Sequence, residues 1–483
     1  MKPLLILVFC ARLTFATTGQ GTTWEIRKTG NDTNGGAFDS TLTSAGTDLS
    51  IFDNKNAAGC SSCQSASVNI SVTDGVTNGT ATITSATANF SALLIGNSIY
   101  VTGGTGAVAA RRYEVTAVGS STSITVDSSS GLTAGTGVTI NIGGALLTPG
   151  APVALLGSSS QNTVWIQAGT YTLATTVALV GNSKHYHGYQ TTRGDQTGTR
   201  PLITTATNST NLFSTSGAGG QSFSWTNLSF SNTASTRAFA LSSGGGFWYV
   251  VDCKFDGFTT AISAAASALG SLHIDFTEVQ NSTVGGIVYR TGTDQIIVTN
   301  SYIHNNTGIG IAYNSSGGAI LLNNIIVDNT GDGFNTAQPT DVVLLIGNTF
   351  ANNGGDGAEI NTDDAAFMTI SKNIFWGNTG FGLTKATVGT NKTPGQALYF
   401  NQNAYGGNGT DVPNYIGSGN NPITILVSPF KSATDYSLNG APTGGALLKS
   451  IPTTIPGSTG INFVDLGAIQ GIGGSTIGIP TQQ

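Results

Sequence analysis

One pattern recurs four times between residues 300 and 382 and constrains the fold of the chain. In each copy an apolar residue is followed by an Asn three positions later and by Gly residues five and seven positions later. Successive copies lie 23, 24 and 25 residues apart. Such a period is the signature of a repeat protein. The apolar residues are Ile303, Ile326, Phe350 and Phe375, and the Asn residues are Asn306, Asn329, Asn353 and Asn378.

The length and composition of the repeat predict strands. About 24 residues are too few for two packed helices, and Gly, Asn, Thr and β-branched residues favour turns and strands. Stacked units of three short strands would pair each strand in parallel with its copy about 4.8 Å away. Apolar residues would then form inward columns, and the Asn side chains would form a ladder. The predicted fold is a parallel β-helix, with the Gly pair at tight bends or where φ is positive.

The apolar column extends beyond the four regular copies. It contains Phe230, Phe255, Val279, Ile303, Ile326, Phe350, Phe375 and Tyr405. The last step is the longest, which predicts an extra loop from Gly389 to Gly395. With less regular copies upstream, the pattern predicts about ten turns and a rod of roughly 50 Å.

A different pattern interrupts the chain before the repeats begin. Six short alternating runs separated by Gly-rich turns predict a small antiparallel barrel or sandwich, inserted near the N-terminus of an all-β protein. The C-terminal residues are expected to cover the last turn, because an open end exposes unpaired strand edges. The predicted divisions are a signal peptide (1–16), an N-terminal strand and cap (17–67), the insertion (68–142), the β-helix (143–427), and a C-terminal cap and tail (428–483).

The charge and hydropathy of the chain restrict the kinds of partner that it can bind. The chain has 18 Lys and Arg residues, a net charge of −6 and no basic run, so nucleic-acid binding is not expected. No apolar stretch after the N-terminus is long enough to span a membrane. Lys2, the apolar run from Leu4 to Ala11 and the sequence Thr14-Phe15-Ala16 are typical of a signal peptide, which predicts a secreted protein. The alternative is a short hydrophobic start that stays on the protein.

The cysteine and histidine residues predict no metal site. Cys60 and Cys63 form a CxxC pair without a second pair or a nearby His, which argues against a four-ligand zinc site. The sequence leaves open whether Cys60 and Cys63 form a disulfide or remain two free thiols. His185 and His187 lack a third ligand and are expected at the surface.

Three stretches resemble a known family. Trp24–Gly36, Val164–Tyr171 and the Asn/Gly copies of residues 277–408 resemble right-handed parallel β-helix repeat proteins of the pectate-lyase and phage-tailspike class. The resemblance covers residues 20–60 and 145–470. It implies a right-handed helix, an extracellular or virion setting and a carbohydrate ligand. It implies no single activity, because the fold carries lyases, hydrolases, epimerases, tailspikes and adhesins.

The catalytic motifs of that class are incomplete in this chain. Asn361-Thr362-Asp363, followed by Asp364, is similar to the first motif of polygalacturonase-type hydrolases. The second Asp pair, the Gly-His-Gly and the Arg-x-Lys of that set are absent, and so is the Arg and calcium arrangement of pectate lyases. The resemblance therefore assigns no catalytic set.

Four polar residues occupy positions at which the copies of the repeat differ. Asp332 and Asp356 lie between the two Gly residues of successive copies, and Asn335 and Glu359 follow at matching outward positions. Stacking predicts one acidic patch, whose carboxylates would repel, raise one pKa or share a cation such as calcium. Because glycosidases use two carboxylates about 5 to 10 Å apart, Asp332, Asp356 and Glu359 are candidate catalytic residues and Asn335 a candidate sugar-binding residue. The alternatives are a solvated acidic stripe, or Asp residues at turns that bond nearby backbone N–H groups.

Aromatic residues offer a second indication of sugar binding. Trp376 follows the inward Phe375, so it is expected on the outer face as an exposed platform for a sugar ring. The cluster of residues 247–249 is either a similar platform or part of the core. His304 is expected to be exposed on its strand.

Two functions fit these observations. The first is a secreted or virion-borne protein that binds a polysaccharide and, if it is an enzyme, cleaves it as a lyase or hydrolase. The second is a non-enzymatic fibre or adhesin in which the β-helix is a rigid spacer. The acidic patch and the aromatic residues favour the first, and the incomplete catalytic set favours the second. A homotrimer would suit a tailspike, although the sequence has no coiled-coil heptads.

Overall fold

The computed structural model describes most of the chain between residues 21 and 449. The described ranges are 21–36, 70–90, 94–95, 98–151, 161–180, 183–191, 193–195, 198–205, 211–216, 221–232, 237–241, 246–264, 270–290, 295–336, 342–361, 367–385, 397–412, 420–449, 451–454, 461–464, 471–472 and 475–476. The predicted signal peptide, Cys60 and Cys63, residues 362–364 and the predicted loop of residues 389–395 lie outside them.

The chain begins with one strand of the β-helix and then enters the inserted domain. The first strand is β1 (Gly21–Ile26). The strands of the insertion are β2 (Ile70–Thr77), β3 (Thr82–Thr84), β4 (Ser98–Gly103), β5 (Val108–Ser120), β6 (Ser123–Val126) and β7 (Gly135–Ile142).

The β-helix follows, with three strands in each complete coil. Its strands are β8 (Gln161–Gln167), β9 (Thr170–Leu173), β10 (Val177–Val180), β11 (Lys184–Tyr189), β12 (Leu202–Thr205), β13 (Phe213–Ser216), β14 (Gln221–Thr226), β15 (Ser229–Ser231), β16 (Arg237–Leu241), β17 (Gly246–Val251), β18 (Lys254–Asp256), β19 (Thr260–Ala264), β20 (Leu272–Asp275), β21 (Glu278–Gln280), β22 (Gly285–Arg290), β23 (Ile296–Thr299), β24 (Tyr302–His304), β25 (Ile309–Asn314), β26 (Ala319–Leu322), β27 (Ile325–Val327), β28 (Phe334–Thr336), β29 (Val342–Ile346), β30 (Thr349–Ala351), β31 (Ala358–Ile360), β32 (Phe367–Ser371), β33 (Ile374–Trp376), β34 (Leu383–Lys385), β35 (Ala397–Asn401) and β36 (Ala404–Gly406).

Short elements complete the described chain. They are β37 (Ile423–Thr424), the helix α1 (Gly445–Leu448), β38 (Ile451–Thr454), β39 (Ile461–Val464), β40 (Gly471–Ile472) and β41 (Ser475–Thr476).

The strands of the β-helix form three parallel sheets. The first sheet runs in the order β1-β8-β11-β14-β17-β20-β23-β26-β29-β32-β35, the second runs from β9 through every third strand to β36 and then β37, and the third runs from β10 to β34. Within the described residues this gives nine complete coils, slightly fewer than the ten predicted, and β35 and β36 begin a tenth. The predicted all-β parallel helix is confirmed.

The predicted apolar column lies inside the second sheet, as expected. Phe350 pairs with Phe375, which pairs with Tyr405, and the rings stack with centroids 5.2 and 5.3 Å apart. Phe230 and Phe255 stack in the same way at 4.9 Å. All are buried. One residue per coil therefore repeats the same apolar contact along the helix axis.

The Asn side chains form two ladders, where the sequence predicts one. In each ladder an Asn Nδ2 donates to the Oδ1 of the Asn one coil later, at 2.8–3.0 Å. Each member therefore satisfies polar atoms of its neighbour inside the β-helix. The predicted ladder contains Asn306, Asn329, Asn353, Asn378 and Asn408, and the second contains Asn324, Asn348, Asn373 and Asn403.

Positive φ lies beside the ladders and not at the paired Gly residues of the repeat. The residue before each ladder Asn has a left-handed backbone, as at Asn352 (φ 53°) and Lys372 (φ 60°). The second Gly of each pair is required for close packing instead. A Cβ on Gly357 would lie 2.5 Å from the carbonyl oxygen of Gly382 and 2.9 Å from Asn378 Nδ2. Of the two expectations for these Gly residues, positive φ is not found. The close approach of the neighbouring coil is a reason for Gly that the sequence analysis did not give.

The inserted domain is a six-stranded antiparallel barrel with its own core. Its strand order is β2-β3-β6-β5-β4-β7, and its buried cluster is separate from that of the β-helix. The turn after β1 joins the two parts. The Asp32 carboxylate accepts hydrogen bonds from the backbone N–H groups of Leu147 and Thr148, both at 2.9 Å, and Asn34 Nδ2 donates to the Ala145 carbonyl at 2.8 Å. Arg112 of β5 reaches the carbonyl oxygens of Asp32 and Asn34.

The described part of the C-terminal segment covers a side of the β-helix and not its end. Phe430, Tyr436 and Leu438 are buried against the outer face of the second sheet. Tyr436 Oη donates to Asp328 Oδ2 at 2.6 Å. The expected cover over the last turn stays a prediction, because much of the chain after residue 449 lies outside the described residues.

We predict that Gly357→Ala destabilises the protein by about 3 kcal/mol, because the added Cβ collides with backbone and not with a movable side chain. Thermal or denaturant unfolding measures the effect. Gly440→Ala is the matched control, because a Cβ there meets no atom within 4 Å, and it should change stability by no more than about 0.5 kcal/mol. Equal stability of the two variants would contradict the close approach at Gly357.

Candidate functional site

The predicted polar residues meet on the outer face of the third sheet. Asn335 lies on β28 and pairs directly with Glu359 on β31, one coil later. Their neighbours along each strand, Phe334 and Ala358, are buried inside the helix, so Asn335 and Glu359 point outwards. Asp332 and Asp356 lie at the bends that precede these strands. We call Asp332, Asn335, Asp356 and Glu359 the carboxylate cluster.

One amide links two members of the cluster. Asn335 Nδ2 donates to Asp332 Oδ2 at 2.9 Å and to Glu359 Oε2. Asn335 Nδ2 is therefore the common donor that holds the Asp332 and Glu359 carboxyl groups beside each other.

The two Asp residues also bond the backbone of the next coil. Asp332 Oδ1 accepts the N–H of Asp356, and Asp356 Oδ1 accepts the N–H of Phe381, both at 2.8 Å. Gly355 and Gly380 leave room for these oxygens, with which a Cβ at either position would collide. The alternative of backbone-bonding Asp residues is therefore realised for one oxygen of each Asp. Glu359, by contrast, accepts its hydrogen bond from a side chain, that of Asn335.

Partial burial changes the proton affinity of the cluster. Burial raises the pKa of Glu359 above its usual value, and the nearby Asp332 and Asp356 carboxylates raise it further, against a hydrogen bond from Asn361. Burial and the Asp332 charge also raise the pKa of Asp356, although the N–H of Phe381 opposes this. Both groups therefore retain a proton at a higher pH than free carboxyl groups do.

Small side chains flank the cluster along the sheet. Ala312 precedes Asn335 in register, and Thr384 follows Glu359. Both are buried and neither is long enough to cover the carboxylates. Among the described residues no group of three or more His, Cys, Asp or Glu side chains is arranged to hold a metal ion.

Trp376 does not join this cluster. It lies on β33 in the second sheet and points outwards, as expected from its neighbour Phe375. It is only partly exposed, because it packs against the apolar cluster formed with the C-terminal segment, and its ring lies over Gly407. It is therefore not the open platform that the sequence predicts.

Sequence reasoning missed a charged cluster on the second sheet. Glu278 accepts from Lys254 Nζ at 3.1 Å and from His304 Nε2 at 3.2 Å. Burial alone would raise the pKa of Glu278, but these two partners hold it below its usual value. The His304 ring stacks on Tyr302 with centroids 3.8 Å apart and is 8% exposed. The expectation that His304 is exposed is therefore wrong. Lys254 and Glu278 pair in register in neighbouring coils, which is a signal that the sequence contains. His304 lies two residues beyond Tyr302, the register partner of Glu278 in the next coil.

His185 and His187 are also buried or nearly so, where the sequence predicts a surface. His185 Nδ1 contacts Ser224 Oγ at 2.8 Å, and His187 stacks with Trp165 at 4.8 Å. Burial lowers the pKa of His185 to about 4 and, with a smaller effect of His185, that of His187 to about 3. Both rings are therefore neutral at pH 7 and act as packing groups.

Comparison with known proteins agrees with the fold. Residues 238–395 match the family model described as the right handed beta helix region, and they include the whole carboxylate cluster. The protein is thus a right-handed parallel β-helix protein. No curated protein matches the chain significantly.

Two solved structures illustrate the likeness. The A-module of the mannuronan C-5 epimerase AlgE6 from Azotobacter vinelandii is 12% identical, with 56% of this chain and 80% of that chain covered and a TM-score of 0.39. The periplasmic alginate epimerase AlgG is 13% identical, with 55% and 76% covered and a TM-score of 0.29. At these values the likeness assigns no activity to this chain. In the described part of the chain no helix has the length and hydropathy needed to cross a membrane.

We predict that Glu359→Gln stabilises the protein at pH 7 relative to wild type but not at pH 4. A raised pKa in the folded state means that protonation favours folding, so wild type loses this contribution as pH rises through the folded pKa. The uncharged amide of the Glu359→Gln variant keeps this contribution as pH rises. Because the group is partly exposed, the gain should be small, roughly 2 °C in the midpoint of thermal unfolding.

Thermal scans of both proteins at pH 4 and pH 7 make this comparison. Asp256→Asn serves as the control, since it changes an outward carboxylate on the second sheet. A pH-independent difference between wild type and Glu359→Gln, or a less stable variant at pH 7, would contradict the raised pKa.

Proposed function

We propose that the protein binds a polysaccharide at the carboxylate cluster on the outer face of the third sheet. The observation that carries the proposal is the group of Asp332 and Glu359 carboxyl groups that accept hydrogen bonds from one amide, that of Asn335, on a partly exposed strand of the β-helix. Nothing in the repeat requires Glu359 at this position, since the equivalent residue one coil earlier is Asn335 and one coil later is Thr384.

The polar groups of the cluster suit sugar hydroxyls. Carboxylate oxygens accept hydrogen bonds from hydroxyl groups, and the Asn335 side chain both donates and accepts. The small neighbours Ala312 and Thr384 leave space beside the cluster for a chain that runs along the helix axis. The regular stacking of coils, about 4.8 Å apart, provides a straight surface for an extended polymer.

The cluster also has the groups that cleavage of a glycosidic bond requires. Glu359, whose pKa is raised, can hold a proton and donate it to the glycosidic oxygen. Asp356 provides a second carboxylate nearby, which can activate water or stabilise positive charge on the sugar. Asp332 and Asn335 would position Glu359. We propose that the protein acts outside the cytoplasm, where such polymers occur, in accordance with the signal-peptide pattern of residues 1–16.

The alternative is a fibre or adhesin without catalysis. The backbone bonds of Asp332 and Asp356 favour it, because each of these residues already has a structural task. In that case the carboxylate cluster either contributes to glycan binding or only stabilises the bends of the backbone. The β-helix then serves as a rigid spacer.

We predict that wild-type protein releases reducing ends or 4,5-unsaturated products from one member of a panel of polysaccharides that includes alginate. Glu359→Gln should reduce the rate by a factor of about 100 or more, because general acid catalysis typically contributes that much. Asp356→Asn should have a comparable effect. Both amides preserve size and keep one acceptor oxygen, which at position 356 can still accept the N–H of Phe381, so the variants should fold as wild type does.

Binding and cleavage are separated by measuring both on the same panel. Affinity electrophoresis reports binding, and Asp256→Asn is the matched control for Asp356→Asn. Binding without any product would support the adhesin alternative. A protein that neither binds nor cuts any member would overturn the proposed function, and equal loss of activity in the control variant would remove the cluster from the mechanism.

A further inference from the structure

Two aromatic side chains point outwards from the same strand of the first sheet. Phe247 and Tyr249 lie on β17 on either side of Trp248, which is buried inside the helix. Phe247 is 50% exposed and Tyr249 is partly exposed. Their rings lie within 23° of parallel, with centroids 6.4 Å apart. Of the two interpretations of residues 247–249, core packing therefore holds for Trp248 and an outward platform for the other two.

A third ring extends this surface into the next coil. His273 on β20 pairs in register with Tyr249, and the two ring centroids are 4.9 Å apart. Burial lowers the pKa of His273 below its usual value, so the imidazole is neutral at pH 7. A neutral imidazole has one N–H donor and one acceptor nitrogen. We call Phe247, Tyr249 and His273 the aromatic patch.

Hydroxyl groups border the aromatic patch on the side of the preceding coil. Ser222 on β14 pairs with Phe247, and Ser224 pairs with Tyr249. Ser224 is buried and contacts His185, whereas Ser222 is partly exposed. The exposed Phe247 ring therefore has an accessible hydroxyl group beside it, and the imidazole lies beyond Tyr249.

The repeat does not require these aromatic rings. Both register positions one coil earlier are Ser residues. The rings also lie outside the buried core of the β-helix, which contains Trp248. Coil stacking and core packing therefore leave Phe247 free to contact a ligand.

The surroundings of the aromatic patch favour a ligand without charge. Asp275 is the one Asp, Glu, Lys or Arg residue in β14, β17 and β20. Its Oδ1 accepts hydrogen bonds from Thr299 Oγ1 at 2.6 Å and from Asn300 Nδ2 at 2.9 Å. These three strands thus carry no cation to pair with an acidic sugar, and the nearby carboxylate would repel one.

We propose that the aromatic patch binds a sugar ring of an uncharged polysaccharide. A face of a sugar ring carries C–H groups, which pack on an aromatic ring such as that of Phe247. Hydroxyl groups at the edge of the sugar bond to polar groups, here the Ser222 hydroxyl and the His273 imidazole. The class of ligand rests on the proposed function, and the aromatic patch adds a contact that is separate from the carboxylate cluster.

The extent of the aromatic patch fits a glycan better than a protein partner. Three coils of about 4.8 Å and strands of about 15 Å cover roughly 200 Å², whereas a specific protein interface needs about 800 Å² on each partner. In the first sheet β17 precedes β26, the strand of the Asn335 coil, by three coils, or about 14 Å. Asn335 also lies on a different sheet, so one sugar ring cannot touch both sites.

Affinity electrophoresis through gels that contain xylan, galactomannan or hydroxyethyl cellulose tests the proposal, with alginate as the acidic comparison. At least one uncharged polymer should retard wild type more than alginate does. Phe247→Ser should weaken that binding about fivefold or more, because it removes the stacking ring. The preceding coil has Ser at the same register position, so the strand should tolerate the change. Phe247→Tyr keeps the ring and should bind as wild type does.

Phe367→Ser is the matched control, because Phe367 is 42% exposed on β32 of the same sheet. It should leave glycan binding unchanged. Thermal unfolding checks that each variant is folded. His273→Ala removes a ring from a different strand and provides the same test if Phe247→Ser does not fold.

Three results would overturn the aromatic patch: no retardation of wild type by any uncharged polymer, equal binding by Phe247→Ser and wild type, or an equal loss in the control. Glu359→Gln separates this outcome from that of the proposed function. Binding that is lost in Glu359→Gln but retained in Phe247→Ser overturns the aromatic patch alone. Binding that is lost only in Phe247→Ser, with no product from any polymer, supports the aromatic patch and overturns the carboxylate cluster as the binding site.

Discussion

The stacking of identical side chains from one coil to the next is the constraint on which the rest of the structure depends. Each buried Asn of a ladder satisfies its own coil and its neighbour, as when Asn353 accepts from the backbone and side chain of Asn329 and donates to Asn378. Buried amides without such partners would cost several kcal/mol in total. The ladders thus fix the register of the coils, and the register decides which outward residues become neighbours.

Register in turn connects sequence variation with function. Positions of the repeat that face inwards or bond along the axis cannot change independently, because each contacts its own copies. The outward positions can change independently of one another. Glu359 meets Asn335, and Glu278 meets His304 and Lys254, only because their coils stack in register. The carboxylate cluster and the charged cluster around Glu278 therefore share one scaffold and lie on different sheets.

The repeat allows the fold and much of the candidate site to be predicted from the sequence. The spacing of Ile326, Phe350 and Phe375 predicts the fold and the inward column, and the matching positions of Asp332 and Asp356 predict the carboxylate cluster. The second Asn ladder was missed because the repeat was aligned on one Asn per copy. The burial of His304 and the cover over Trp376 could not be predicted, because both depend on tertiary contacts across many residues: His304 on cross-coil partners and Trp376 on a segment folded back from the C-terminus. Propensity and period do not reveal such contacts.

A comparison of Asn353→Ala with Asn335→Ala tests the central claim, that repeated Asn residues hold the fold and varying ones serve function. Denaturant unfolding and glycan binding should be measured on both variants. Asn353→Ala should lose about 3 kcal/mol of stability, because it removes a ladder amide and leaves buried partners unsatisfied. Asn335→Ala should stay within about 1 kcal/mol of wild type and lose glycan binding. The reverse pattern, a stable Asn353→Ala and an unfolded Asn335→Ala, would contradict the account.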